Sequence, residues 1–152
     1  MERNRANFAP LTPVSFLRRS AEVYPDRLAV RHGERAFTYR EFEARCRRFA
    51  SALAARGIGR GDTVALMAPN VPPMLEAHYA VPGIGAILNA LNYRLDARTI
   101  AFCLDHGEAK VLVTDGEFAP VVSEALTLCR SKPLVVDIDD GVGERIGKIT
   151  YE

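Results

Sequence analysis

The sequence predicts an α/β fold, a mostly parallel sheet flanked by helices and preceded by an N-terminal β-hairpin. Three observations carry the prediction. From Thr63 onward, short runs rich in Val, Leu and Ile alternate with segments of helical period, as a parallel sheet with helical crossovers requires. Ahead of that alternation, two stretches open with helix-capping residues. Between them, two extended runs are joined by the polar turn His32-Gly33-Glu34-Arg35.

Each element follows from local chemistry. Thr12 caps the first helix, and Pro13 suits its first position because the nitrogen there needs no partner. Val14, Leu17 and Ala21 share one face, and Tyr24-Pro25-Asp26 ends the helix. Leu28 to Arg31 and Ala36 to Thr38 form the hairpin strands. Thr38-Tyr39-Arg40-Glu41 is a capping box, in which hydroxyl and carboxylate each accept a backbone N–H that the first turn leaves open. Tyr39, Phe42, Cys46, Phe49, Ala50 and Leu53 then form one apolar stripe, closed by Gly57 in a left-handed conformation. Thr63 to Ala68 is a buried strand. Asn70, Pro72 and Pro73 open a helix that bends or ends near Pro82. Ala86 to Leu91 is the next strand, followed by a helix capped by Asp96 and closed at Gly107. Lys110 to Thr114 is a strand, Glu117 to Arg130 a helix interrupted at Pro120, and Pro133 to Ile138 a further strand. Ile146 to Glu152 reads as the start of another element.

Composition narrows the function classes. A chain of 152 residues, 48% hydrophobic and 26% charged, fits one modest globular domain. A formal net charge of +1 supplies no field to attract nucleic acid. Cys46, Cys103 and Cys129 are odd in number, far apart and each within helical patterning, so they read as thiols of a reducing compartment. His106 follows Cys103 by three residues, but two ligands make a poor metal site, so no metal site is expected. Met1 to Pro13 carries Arg3 and Arg5 without the apolar core of a leader peptide. The apolar run Ala77 to Leu91 is broken by His78, Pro82 and Asn89, too short to span a bilayer. The expected location is cytoplasmic.

Three glycine clusters invite a phosphate-binding reading, which needs a strand before the loop and a helix after it. Gly57-Ile58-Gly59-Arg60-Gly61-Asp62 has the helix first and the strand second. Gly83-Ile84-Gly85 likewise precedes a strand. Gly141 to Gly147 does follow a strand and has dinucleotide-like glycine spacing. Asp137, Asp139 and Asp140 would set negative charge beside a phosphate there, and the residues beyond look extended. No Walker loop, nucleophile elbow or His-Glu-x-x-His pair occurs, so no catalytic residue is identified.

A resemblance extends this reading. Phe16 to Val30, Thr38-Tyr39-Arg40-Glu41-Phe42, Ala50 to Ala65, Met67-Ala68-Pro69-Asn70 and Ala86 to Leu95 occur in that order. Together they resemble the opening of AMP-forming acyl-CoA synthetases, a family that includes luciferases and peptide-synthetase adenylation domains. Ile100 to Val113 resembles the branch acting on fatty or similar small carboxylic acids, methylmercaptopropionate-type ligases among them. The resemblance covers about Phe16 to Asp139 and implies that residues 1–152 are the N-terminal portion of the adenylate-forming domain, without a complete second domain.

By that resemblance, the complete enzyme joins a carboxylic acid to ATP with Mg²⁺ assistance and passes the acyl-adenylate to coenzyme A. The family's Ser/Thr/Gly-rich loop and catalytic Lys have no counterpart here. The 152 residues are therefore expected to be inactive alone and to bind none of these cofactors. Apolar surface left exposed would favour homo-oligomers. Arg94, in Asn92-Tyr93-Arg94-Leu95, matches a loop where some relatives set an Arg near the phosphates of coenzyme A, a task suited to a guanidinium fork. The competing reading is a solvated or helix-capping Arg beside Asp96. His78 is read as a packing residue before a tunnel-lining one, and His32 as a turn residue. Two rivals stay open: a stand-alone non-catalytic module binding a nucleotide or protein, and a dinucleotide-binding domain using Gly141 to Gly147.

Overall fold

The structure, a computed structural model, describes residues 2–4 and 7–152. Met1 and Arg5 of the leader reading lie outside the described residues. The chain forms two compact units, one up to Ala44 and one from Arg45 to Glu152.

In the first unit, helix α1 spans Pro13–Val23 behind Thr12. Thr12 Oγ1 accepts the Ser15 N–H at 3.1 Å, and Ser15 Oγ accepts the Thr12 N–H at 2.9 Å. This is a reciprocal cap built with Ser where Glu is usual. Strands β1 (Leu28–His32) and β2 (Arg35–Thr38) pair antiparallel. Their pairing runs to His32 and Arg35, so the connection shrinks from the expected four residues to Gly33 and Glu34. Gly33 makes this possible at φ 56°, a conformation that glycine adopts without strain. Helix α2 (Tyr39–Ala54) begins in this unit. Thr38 Oγ1 accepts the Glu41 N–H at 3.3 Å, while Glu41 Oε2 accepts the Thr38 N–H at 2.8 Å.

In the second unit, α2 ends in a Schellman turn: the Ile58 N–H reaches the Leu53 carbonyl and the Gly57 N–H that of Ala54. Gly57 stands at φ 78°, and Leu53 and Ile58 lie in one apolar cluster. Then follow β3 (Thr63–Met67), α3 (Pro72–Gly83), β4 (Ile87–Ala90), α4 (Ala97–His106), β5 (Ala109–Asp115), a 3-10 turn (Gly116–Phe118), α5 (Ala119–Leu128), β6 (Leu134–Ile138) and β7 (Ile149–Thr150). Among the described residues these strands form a five-stranded sheet in the order β4-β3-β5-β6-β7, every pairing parallel.

The core lies on both faces of that sheet. Ala65, Met67 and Leu112 join Ile100 and Leu104 of α4 and Val122 and Ala125 of α5. Val64, Leu66, Val111 and Val113 join Leu53 of α2 and Ala77 and Val81 of α3. Alternate strand residues thus feed opposite layers, which explains why β3 is buried throughout its length.

Three expectations shift. Asn70 is not the cap of α3, which starts from Val71 without a side-chain cap because Pro72 and Pro73 leave few N–H groups to satisfy. Pro120 does not interrupt a helix. It occupies the first turn of α5, while Asp115 Oδ1 accepts the Glu117 N–H at 3.1 Å and caps the preceding 3-10 turn. Finally, α5 stops at Leu128, so Cys129 and Arg130 lie beyond it. Asp105 draws the chain away there by accepting the N–H groups of Arg130 at 3.1 Å and Ser131 at 2.8 Å. Among the described residues, no helix is long and apolar enough to cross a membrane.

Candidate functional site

Topology points to one edge of the sheet. After β3 the chain passes through α3 to β4 on one side, then through α4 to β5 on the other. Such a reversal opens a crevice outside the carboxyl ends of the two diverging strands, where open α/β sheets bind ligands. The segments at that edge are Ala68-Pro69-Asn70 after β3, Leu91 to Asp96 after β4, Gly116 to Phe118 after β5, and Asp139 to Lys148 after β6.

Arg94 lies at this edge. Asn92 Oδ1 accepts its backbone N–H at 2.9 Å, which tightens the loop into an Asx turn. Its guanidinium carbon sits 5.7 Å from the ring centroid of Tyr93, within cation–π range. Tyr93 in turn stacks on Phe118 at 5.6 Å with 23° between the planes. Two loops from different strands therefore meet through aromatic rings, with the cation at the exposed end. Arg94 is exposed, as the competing solvated reading also expects, while Asp96 is engaged elsewhere. Asp96 Oδ1 accepts the Thr99 N–H at 2.8 Å and Oδ2 accepts the Thr99 hydroxyl at 3.2 Å, capping α4. These bonds, the backbone one foremost, hold the Asp96 carboxyl below the usual carboxylate range.

Other residues singled out in the sequence have ordinary surroundings. His78 is exposed, with Nδ1 2.8 Å from the Met74 carbonyl one turn earlier on the same helix. His32 ends β1 on the surface. His106 stacks on Phe102 at 5.3 Å. All three cysteines remain thiols, and burial pushes the Cys129 thiol up in pKa, away from reactivity. Among the described residues, no group of three or more His, Cys, Asp or Glu side chains could hold a metal ion.

The glycine clusters match their structural roles. Asp62 Oδ2 accepts the Gly59 N–H at 2.9 Å, while Lys110 Nζ lies 2.6 Å from Asp62 Oδ1, so this turn packs upon itself. After β6, the glycine segment leads to β7 with no helix between them, so it lacks the N-terminal dipole that a dinucleotide phosphate would meet.

Two buried acidic centres escaped the sequence reading. Glu76 is fully buried on α3, where Arg45 Nε meets Oε1 at 2.5 Å and the Tyr151 hydroxyl donates to Oε2 at 2.5 Å. Arg45 also binds Glu152 at 2.6 and 3.1 Å. The bonds to Glu152 and then Glu76 raise the Arg45 pKa, whereas burial foremost and then Glu76 raise that of Tyr151. The second centre is Asp115, at the carboxyl end of β5. A lone Glu in the apolar stretch Met74 to Val81 was the available signal for the first. An acid terminating an apolar strand was the signal for the second.

Residues 17–148 match the family model described as AMP-binding enzyme. The peroxisomal acetate/butyrate–CoA ligase of Arabidopsis thaliana is 48% identical over 142 residues, 89% of this chain and 25% of that protein. An acetate–CoA ligase of Humulus lupulus is 46% identical over 147 residues, 92% of this chain and 26% of that protein. Among solved structures, a fatty acyl CoA synthetase of Mycobacterium tuberculosis superposes with a TM-score of 0.76 at 30% identity, over 83% of this chain and 26% of its own. The chain thus spans about a quarter of the length of the curated relatives it matches. Parallel sheet, reversed strand order and collinear sequence agree, and the chain belongs to the AMP-binding enzyme family, where its relatives include acid–CoA ligases.

Proposed function

We propose that residues 1–152 are the N-terminal portion of the adenylate-forming domain of an acid–CoA ligase. That enzyme activates a fatty or similar small carboxylic acid with ATP and Mg²⁺ and transfers the acyl group to coenzyme A. The observation that carries this reading is 48% identity to an acetate/butyrate–CoA ligase along 89% of the chain. The glycine segments close caps or lead into strands and form no strand-to-helix phosphate cradle, which supports a place for the ATP-handling residues elsewhere in the longer protein. The adenylation chemistry is therefore assigned outside this chain, and its contribution is scaffold and edge.

At that edge we assign Arg94 to the phosphates of the coenzyme A nucleotide. Its place at the carboxyl edge of the sheet and its support by Tyr93 and Phe118 favour the role. In the longer protein, Arg94→Ala should raise KM for coenzyme A about ten-fold, the loss of one charge-assisted contact, and leave pyrophosphate exchange unchanged. An unchanged KM would remove Arg94 from the site. For the assignment as a whole, pyrophosphate exchange with ATP and a panel of carboxylic acids should be silent for this chain and active for the longer protein. Exchange by the short chain would refute it.

The proposed location is the cytoplasm, supported by cysteines that are odd in number and far apart along the chain, as suits a reducing compartment. Fractionation with the peroxisomal marker would overturn that placement. Exposed Ile87, Phe102 and Leu128 favour self-association of the 152-residue chain, which light scattering after size-exclusion chromatography would detect.

A further inference from the structure

Asp115 is only 1% exposed, yet it holds its carboxyl group against other acids. One oxygen, Oδ1, accepts the Glu117 N–H at 3.1 Å, and the other, Oδ2, has no partner among the described residues. Two like charges act on it, Glu117 on its own 3-10 turn and Asp140 on the segment after β6.

That segment is pressed onto the residue next to Asp115. Gly143, at φ 75°, approaches the backbone of Gly116 and Glu117 so closely that no side chain fits. A Cβ on Gly116 would lie 2.5 Å from the Val142 carbonyl and 3.4 Å from that of Glu144. The segment's far end is anchored independently, where Asp137 accepts the N–H groups of Ile146 at 3.2 Å and Gly147 at 2.8 Å. Its near end turns on Asp140, whose Oδ1 accepts the Val142 N–H at 3.0 Å.

A buried carboxylate with an unpartnered oxygen beside two further carboxylates is costly, and a proton removes most of that cost. We propose that Asp115 is a proton-operated lock: its neutral carboxyl lets the Gly141–Gly143 turn close onto Gly116, and its ionisation repels Asp140 and lifts the turn away. Burial foremost, then Asp140 and Glu117, place its pKa above the usual carboxylate range, so the locked state extends to higher pH than for an exposed Asp. Asp115 also caps the turn that carries Phe118, on which Tyr93 stacks. The lock does not depend on the coenzyme A reading.

Amide hydrogen exchange on the 152-residue chain tests this, read as protection factors for Val142 to Glu144 between pH 4.5 and 8. Protection should fall with rising pH, by up to about ten-fold per pH unit, the slope that one proton gives. Asp115→Asn should keep the turn protected across the range, and Asp140→Asn should shallow the fall. A pH-independent wild type, or an Asp115→Asn chain with the wild-type slope, would overturn the lock. Should Asp115→Asn fail to fold, the Asp140→Asn chain decides, and a slope equal to wild type sinks the idea.

Discussion

Glu76 has no exposed surface, so its charge must be matched inside the protein. Arg45 and the Tyr151 hydroxyl match it, and the Tyr151 ring also meets Phe49 edge-on at 4.9 Å. Removing the acid leaves Arg45 and Tyr151 without that anchor. Glu76→Ala should cost about 3 kcal/mol, the range for breaking a buried pair, read from urea unfolding. Tyr151→Phe removes one charge-assisted bond and should cost about 1.5 kcal/mol. Asp105 works through backbone N–H groups. Bonds from Ser131 first and then Arg130 hold its carboxyl well below the usual range. A depressed acid stabilises above its unfolded value near 4 and loses that effect as pH falls. Urea midpoints of wild type and Asp105→Asn should therefore differ at pH 7 and converge in acid. Asp115 has the opposite sign: its pKa is raised, so its contribution is fully present at low pH and fades as pH rises.

At the scale of elements, the helix starts are the most local features. Thr38 and Glu41 bind each other's backbone N–H groups, so Thr38→Ala should cost about 1 kcal/mol, measured by thermal unfolding, with Thr38→Ser nearly neutral. These caps involve residues three apart and were legible in the sequence for that reason. The α5 boundary was not. Helical period continues past Leu128, but the Asp105 carboxylate, more than twenty residues earlier, takes the N–H groups that further helix would use. Gly116 shows a similar long-range demand. Gly116→Ala sets a Cβ against the Val142 carbonyl, and the cost should be about 2 kcal/mol, with exchange increased across the turn.

At the scale of the molecule, β3 is the strand on which both layers depend. Its residues feed the α4–α5 layer and the α2–α3 layer in alternation. Leu66→Ala, at a fully buried site, should cost about 3 kcal/mol and lower Tm by roughly 6–12 °C. A change of less than about 1 kcal/mol would mean that the sheet does not bear on this strand. The hairpin in the other unit is two-stranded, and its outward residues are exposed. Its amides should exchange faster than those of β3 and β5, because an isolated pair has little core to protect it.

The sequence alone determined the alternation of elements, the helix caps at Thr12, Thr38 and Asp96, the helix-ending role of Gly57 and the family resemblance. Each depends on contacts within a few residues or on ordered motifs read along the chain. It also singled out Arg94, through resemblance and not through pattern. Tertiary structure decided the rest: the reversal of strand order, the Tyr93–Phe118 stack beneath Arg94, the burial of Glu76 with Arg45 and Tyr151, and the closure over Asp115. Glu76 stands 31 positions from Arg45 and 75 from Tyr151. Whether a carboxylate is solvated, paired or stranded depends on what the fold brings beside it, and no local period encodes that.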